Sequence, residues 1–184
     1  TSRTYNQLDD GTTGQFAKAA HAADAIATGN SARLIQLSES ASTSDGYRTN
    51  IGLTSISGQP SSVDVELYDG DGTHLGRVTA ELGPYEFIQI DRIFNQVTNE
   101  AVVDGYAVLS SSSDGAHFLA YASVIDNRSG DPIYIPARVW EQAKHLRQSP
   151  ELDASPHLSA LPMMAFLGML AAAVLVVRRR ITTR

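Results

Sequence analysis

The chain has no cysteine and a single tryptophan, and aromatic residues make up only 7% of its 184 residues. Without cysteine there is no disulfide, no thiol nucleophile and no thiolate metal site. The five histidines form no H-E-x-x-H pair, and the sequence contains neither a G-x-S-x-G elbow nor a phosphate-binding glycine loop. We therefore predict a protein that is not an enzyme and that requires no cofactor.

Basic residues are scarce once the C-terminus is set aside. Four of the 14 Lys and Arg residues lie within the last seven positions, at Arg178, Arg179, Arg180 and Arg184. Residues 1–177 then carry 10 basic and 20 acidic side chains, a net charge of −10, against −6 for the whole chain. Such an acidic segment lacks the positive field that attracts nucleic acids. We expect no nucleic-acid partner.

Long apolar runs are absent except at 160–177, which contain no charged side chain. As a helix rising ~1.5 Å per residue, this run reaches ~27 Å, close to the ~30 Å hydrocarbon core of a bilayer. Arg178, Arg179 and Arg180 follow at once, as at the cytoplasmic end of a membrane span. A buried core helix is the alternative, because it is also apolar all round. The run predicts a transmembrane helix over 159–177, in contact with membrane lipid along 160–177.

This helix sets the expected topology and location. Residues 178–184 form a basic cytoplasmic tail, and everything before the helix lies outside the cytoplasm. The protein is then exported and held in the inner membrane with its domain outside the cytoplasm, or later cleaved and either moved to the cell surface or secreted. It begins at Thr1 without a signal peptide, which export requires. We therefore expect a mature form or a C-terminal fragment.

The middle of the chain alternates apolar and polar residues with a period of two, most clearly over 63–69. This pattern predicts half-buried β-strands. Turn-forming residues separate the predicted strands, which cover 32–38, 47–56, 63–69, 78–82, 86–91, 104–110, 117–126 and 132–136. The run 118–125 is apolar on both faces, so we expect it to be a central strand. Short, evenly spaced strands favour an all-β fold, an antiparallel immunoglobulin-like β-sandwich over 31–137.

The segments that flank the sandwich have their own patterns. Residues 1–20 share the layout of 122–137: a strand, a polar turn containing glycine, and a strand. The region 1–30 is accordingly an N-terminal hairpin, and either it closes a preceding repeat or the likeness is one that any two hairpins share. Apolar positions at near-helical spacing after Arg138, followed by a proline-containing polar stretch, predict a short helix and flexible linker over 138–158.

One acidic cluster could hold a metal. Asp69 and Asp71 flank a glycine in a predicted loop, and Ca²⁺ takes carboxylate oxygens as ligands. The Asp-Gly pair is also a common hairpin turn, because glycine accepts a positive φ. The plain turn is the interpretation that the spacing favours, and a calcium site is the alternative.

Two parts of the chain resemble known families. The stretches 47–53, 67–76 and 118–137 resemble a repeat domain of large exported bacterial proteins, which implies a non-catalytic β-sandwich module, often in tandem. Pro156, His157, Leu158 and Ser159 are similar to the Pro-Thr-Leu-Ser motif of C-terminal sorting signals of the PEP-CTERM/IPTL-CTERM type. This second resemblance implies a sorting protease or transpeptidase as a partner, although Ala160-Leu161-Pro162 replaces the Glu-Trp-Gly that usually follows the motif.

These observations favour a non-catalytic cell-envelope or surface protein whose sandwich is a spacer, adhesion or matrix element. Loops near 57–62, 110–116 and 127–131 would then form its binding end. One alternative is the accessory C-terminal module of a secreted hydrolase whose catalytic domain lies upstream of Thr1. The other is a calcium-dependent binding module centred on Asp69 and Asp71.

Overall fold

A computed structural model describes residues 2–9 and 11–140, and within them every regular element longer than four residues is a β-strand. Two 3-10 turns, Ala22–Asp24 and Ile93–Gln96, interrupt the strands. The strands are β1 (Ser2–Leu8), β2 (Gly11–Ala17), β3 (Ile26–Ala27), β4 (Ser31–Glu39), β5 (Tyr47–Ser55), β6 (Ser61–Tyr68), β7 (His74–Leu82), β8 (Phe87–Ile90), β9 (Val102–Ser110), β10 (His117–Asp126), β11 (Pro132–Pro136) and β12 (Arg138–Trp140). All their pairings are antiparallel, so the prediction of an antiparallel all-β fold is confirmed.

The alternation of apolar and polar residues in the sequence corresponds to an alternation of buried and half-buried side chains along β6. In β6, Val63, Val65 and Leu67 are fully buried, whereas the residues between them are only half-buried. This alternation follows from the pleat, which points successive side chains to opposite faces of a sheet.

The strands form two five-stranded sheets and one separate hairpin. Sheet A has the order β11-β10-β5-β8, and β3 also pairs with β10. Sheet B has the order β12-β4-β9-β6-β7. A single buried apolar cluster draws on both sheets, with Leu53 and Phe118 from sheet A and Leu34 and Leu109 from sheet B. The core therefore lies between the sheets, as in a β-sandwich.

Strand pairing in the two sheets is nested. β6 pairs with β7, β5 with β8, β4 with β9 and β3 with β10. Each pair lies about equally far along the chain from the turn between β6 and β7, so the chain forms one long hairpin that is rolled into two sheets. Eight strands arranged in this way are those of a jelly roll.

The immunoglobulin-like part of the fold prediction is wrong. An immunoglobulin sandwich has sheets of order ABED and CFG, in which sequential strands such as A and B pair within one sheet. Here β4 lies in sheet B while β5 lies in sheet A, and their partners come from the far half of the chain. Alternation of residues determines which face of a strand is buried, but it carries no information about the partner strand.

The sandwich extends slightly beyond 31–137, since β3 and β12 belong to its sheets. Residues 138–140 form the strand β12, where the sequence predicted the start of a short helix. The remainder of that predicted helix and the linker lie outside the described residues.

The N-terminal hairpin of β1 and β2 forms a two-stranded sheet of its own. Its second strand lies alongside β11, and the Ser123 hydroxyl on β10 donates to Gln15 Oε1 over 3.3 Å. Ser123 is buried even though it points away from the core, because the hairpin covers this part of sheet A. That the hairpin closes a preceding repeat stays a prediction.

Candidate binding surface

The outer face of sheet B is occupied by side chains that bind one another. Glu66 accepts from Arg77 Nε at 2.5 Å and contacts His74 Nε2 at 2.6 Å. Asp64 accepts from the Thr79 hydroxyl at 2.7 Å. These groups meet because β6 and β7 place them opposite one another across the ladder. These polar groups thus already have partners within the fold.

An aromatic row crosses the outer face of sheet A. Phe87 on β8, Tyr121 on β10 and Tyr134 on β11 form the row. The ring centroids of Phe87 and Tyr121 lie 6.5 Å apart with an interplanar angle of 2°, and those of Tyr121 and Tyr134 lie 5.3 Å apart. Both distances fall within the range of attractive ring pairs. Phe87 is 53% exposed, so the row reaches solvent.

Gly52 makes room for this row. A Cβ atom at Gly52 would lie 2.2 Å from Tyr121 Cε1 and 2.4 Å from its Cζ, so the tyrosine ring occupies the space directly above the glycine. The Tyr121 hydroxyl reaches Gln89 Oε1 on β8 at 3.4 Å. Tyr121 therefore bridges three strands of the outer face.

A cleft of about 560 Å³ adjoins the aromatic row. Tyr121 and Tyr134 form part of its floor, and the segment 18–26 forms its opposite wall. A reciprocal cap fixes the 3-10 turn in that wall: Ala23 N donates to His21 Nδ1 at 3.1 Å, and His21 N donates to Asp24 Oδ2 at 3.0 Å. The cleft is thus bounded by hydrogen-bonded backbone on both sides.

Lys18 and Arg138 are the cationic residues among the described residues that line the cleft. Neither forms an ion pair with another residue in the described part of the chain, in contrast to Arg77 and Arg92. Asp24 also lines the cleft, and its carboxylate accepts a hydrogen bond from His21 N in the wall.

Burial raises the pKa of the Tyr121 and Tyr134 phenols, and the neighbouring Tyr134 adds to the rise at Tyr121. Both phenols therefore remain neutral hydrogen-bonding groups at physiological pH.

The structure places Asp69 and Asp71 in the turn between β6 and β7. Asp69 Oδ1 accepts from Asp71 N at 3.0 Å and from Thr73 N at 2.7 Å. These amide hydrogen bonds lower the pKa of the Asp69 carboxyl, and the bond from Thr73 N has the largest effect. Throughout residues 2–9 and 11–140, no three His, Asp or Glu side chains come together as metal ligands. A calcium site at Asp69 and Asp71 stays a prediction, with Asp69 already engaged in the turn.

The three loops of the predicted binding end do not all meet. Loops 57–62 and 110–116 lie together, since the Ser57 hydroxyl donates to Gly115 O at 3.0 Å and Ser62 N donates to Ser113 Oγ at 2.9 Å. The loop 127–131 lies at the other end of β10, where Asn127 N donates to Gly46 O at 2.8 Å. The reason is geometric, because β10 separates residues 116 and 127 by its whole length.

Several predicted sites lie outside the described residues. They are the sorting motif Pro156, His157, Leu158 and Ser159, the helix over 159–177, and Arg178, Arg179 and Arg180. Among residues 2–9 and 11–140, no helix has the length and apolar character to cross a membrane.

Sequence reasoning missed the cleft, although one signal pointed to it. The apolar character of 118–125 on both faces predicted a central strand, and β10 does lie between β5 and the edge strands β3 and β11. Leu119 and Tyr121 on the outer face of β10 form part of the cleft floor. Comparison with protein-family models, with curated proteins and with solved structures gives no match.

Proposed function

We propose that the chain is a non-catalytic, exported cell-envelope module that binds an extracellular ligand in the cleft on sheet A. The observation that carries the proposal is the aromatic row beside that cleft. A concave site in which aromatic side chains lie beside a few polar and charged groups can bind and orient a ligand. In an adhesion or matrix element, this surface would attach the module to its surroundings.

The non-catalytic part of the proposal is consistent with the contacts of the histidines that the structure describes. Within the described residues, the three histidines contact Ala23 N, Glu66 and Gly115 O, and none of these contacts is with a serine or threonine hydroxyl. A hydrolytic site needs a nucleophile within hydrogen-bond reach of its base. The cleft is suited to holding a ligand without reacting with it.

The export part of the proposal rests on the apolar run 160–177 and the arginines that follow it. Intact mass and cell fractionation of the natively expressed protein, detected by an antibody against 31–137, test it. A mass ending near 156–161 on the surface or in the medium supports a cleaved sorting signal. An intact Arg184 terminus in the inner membrane supports a permanent anchor. Recovery of the chain in the cytoplasm contradicts export.

The binding part is tested by sedimentation of the full chain with envelope fragments of the source cell. Tyr134→Leu removes an aromatic ring from the cleft and leaves a smaller aliphatic side chain. Tyr106→Leu is the matched control, because Tyr106 stacks on Tyr68 at 4.7 Å on the outer face of sheet B. We expect Tyr134→Leu to reduce binding and Tyr106→Leu to leave it unchanged. Equal binding by both variants would refute the cleft as the binding site.

A further inference from the structure

We infer that the ligand of the cleft is a glycan chain that carries uronic acid residues, an inference that rests on the proposed function. Two features of one surface carry it. Tyr121 and Tyr134 of the aromatic row line the cleft, and so do Lys18 and Arg138, which have no carboxylate partner among residues 2–9 and 11–140.

The aromatic row suits sugar rings. The faces of aromatic rings are electron-rich, and the axial C–H groups of a pyranose carry partial positive charge, so the two stack. The ring centroids of Tyr121 and Tyr134 lie 5.3 Å apart and both residues line the cleft, so one sugar chain can contact both side chains. Because the three rings sit on β8, β10 and β11, a bound chain would lie across the strands rather than along one of them.

The two cations indicate that the sugar is acidic. Lys18 and Arg138 line the cleft of a chain whose net charge is −6. Elsewhere in the fold, Arg77 and Arg92 each have a carboxylate partner. A carboxylate on a sugar ring that stacks on Tyr121 or Tyr134 would complete charge-assisted hydrogen bonds with Lys18 and Arg138. Asp24 on the same wall is held by His21 N and is an acceptor for sugar hydroxyls.

The same surface is poorly suited to a polyphosphate chain. A nucleic acid carries a phosphate at every nucleotide, and its binding needs a continuous row of cations. Among residues 2–9 and 11–140, the lining of the cleft has two cationic residues and one acidic residue. A uronate chain can be bound through sugar faces with only occasional charge contacts, which matches this balance.

The test is affinity electrophoresis of the full chain in detergent through gels containing polygalacturonate. Fully methyl-esterified polygalacturonan is the matched neutral probe, since it has the same backbone without the charge. We expect polygalacturonate to retard the wild type and Arg138→Gln to weaken its binding about tenfold or more, the effect of one charge-assisted hydrogen bond. Tyr134→Leu should also weaken binding, whereas Arg128→Gln and Tyr106→Leu, which lie outside the cleft, should not. Circular dichroism confirms that each variant is folded.

Two results would overturn the inference. If the ester binds as well as the acid, and Arg138→Gln has no effect, the ligand is not selected by its carboxylates. If neither polymer binds while envelope fragments still bind in a Tyr134-dependent way, the ligand is not a uronate glycan and the proposed function stands. Loss of the Tyr134 dependence with envelope fragments refutes the proposed function itself.

Discussion

Arg92 Nη1 lies 2.6 Å from Glu39 Oε1, and the Glu39 side chain is fully buried while that of Arg92 is 20% exposed. Glu39 also accepts from Thr49 N at 3.1 Å, and Arg92 donates to Ser40 O at 3.4 Å. This pair joins the end of β4 in sheet B to the segment after β8 in sheet A. It is a buried ion pair that ties the two sheets together at one end of the sandwich.

Glu39→Ala should destabilise the fold by about 3 kcal/mol at neutral pH, because it leaves a largely buried guanidinium without its carboxylate. Urea unfolding followed by circular dichroism measures this loss. Arg92→Ala should cost a similar amount, and the double variant should cost clearly less than both single losses together, since the two residues act as one pair. Additive losses would show that the residues act independently.

The titration of Glu39 should make the sandwich less stable as the pH rises. Burial raises the pKa of Glu39 above its ordinary value of 4.5, against the lowering effects of Thr49 N, Arg92 and Arg48. A carboxyl with a raised pKa in the folded state contributes stability below its unfolded pKa and loses it as pH rises through the folded pKa. The stability of the wild type relative to Glu39→Gln should therefore be greatest near pH 4 and fall toward neutrality. A difference that rises over this range would contradict the assignment.

Asp69 should show the opposite dependence on pH. Its pKa is lowered by the amides of Thr73 and Asp71, so its contribution is present above its ordinary value of 3.8 and is lost as pH falls through the lowered value. Asp69→Ala should lower the midpoint of thermal unfolding at pH 7, and the gap from the wild type should close in acid. Asp71→Ala is the control, since its carboxylate takes no part in the amide hydrogen bonds of Asp69.

Calcium should leave the unfolding midpoint of the wild type unchanged if this segment is a plain turn. The measurement is a thermal melt with and without Ca²⁺, repeated on Asp71→Ala. A rise in the wild type that Asp71→Ala abolishes would support the calcium-dependent alternative.

Gly52→Ala should destabilise the protein by about 1–3 kcal/mol, because the new methyl group overlaps the Tyr121 ring and forces it to move. Movement of Tyr121 should alter the near-ultraviolet circular dichroism of the aromatic row and weaken ligand binding in the cleft. Gly58→Ala is the control, since its Cβ would meet the Tyr85 hydroxyl at 3.2 Å, at the end of an exposed side chain. Equal stability of the two variants would mean that Tyr121 can leave Gly52 without cost.

The strands were predictable because pleating imposes a period of two, and the alternation over 63–69 matches β6 closely. Glu39 shows where that rule fails. Ala32 and Leu34 are buried, yet an irregularity at Ile35 and Gln36, where φ is +60° at Gln36, shifts the phase so that Leu37 and Glu39 also face inward. Nothing in the alternation predicts this shift. The cleft could not be predicted from the sequence either, because its wall at 18–26 and its floor on β10 are distant in sequence.

Nested pairing constrains the order in which the module can fold. β9 lies between β4 and β6, and β10 lies between β5 and the edge strands β3 and β11. Strands from the first half of the chain therefore cannot complete their pairing until strands from the second half are present. Of the four nested pairs β3–β10, β4–β9, β5–β8 and β6–β7, the last closes through a short turn. The other pairs close progressively longer loops, whose entropy is lost before any packing is gained. A nascent chain that stops short of Asp126 therefore lacks the shared neighbour of β3 and β5, and the module should form in one late, slow, all-or-none step.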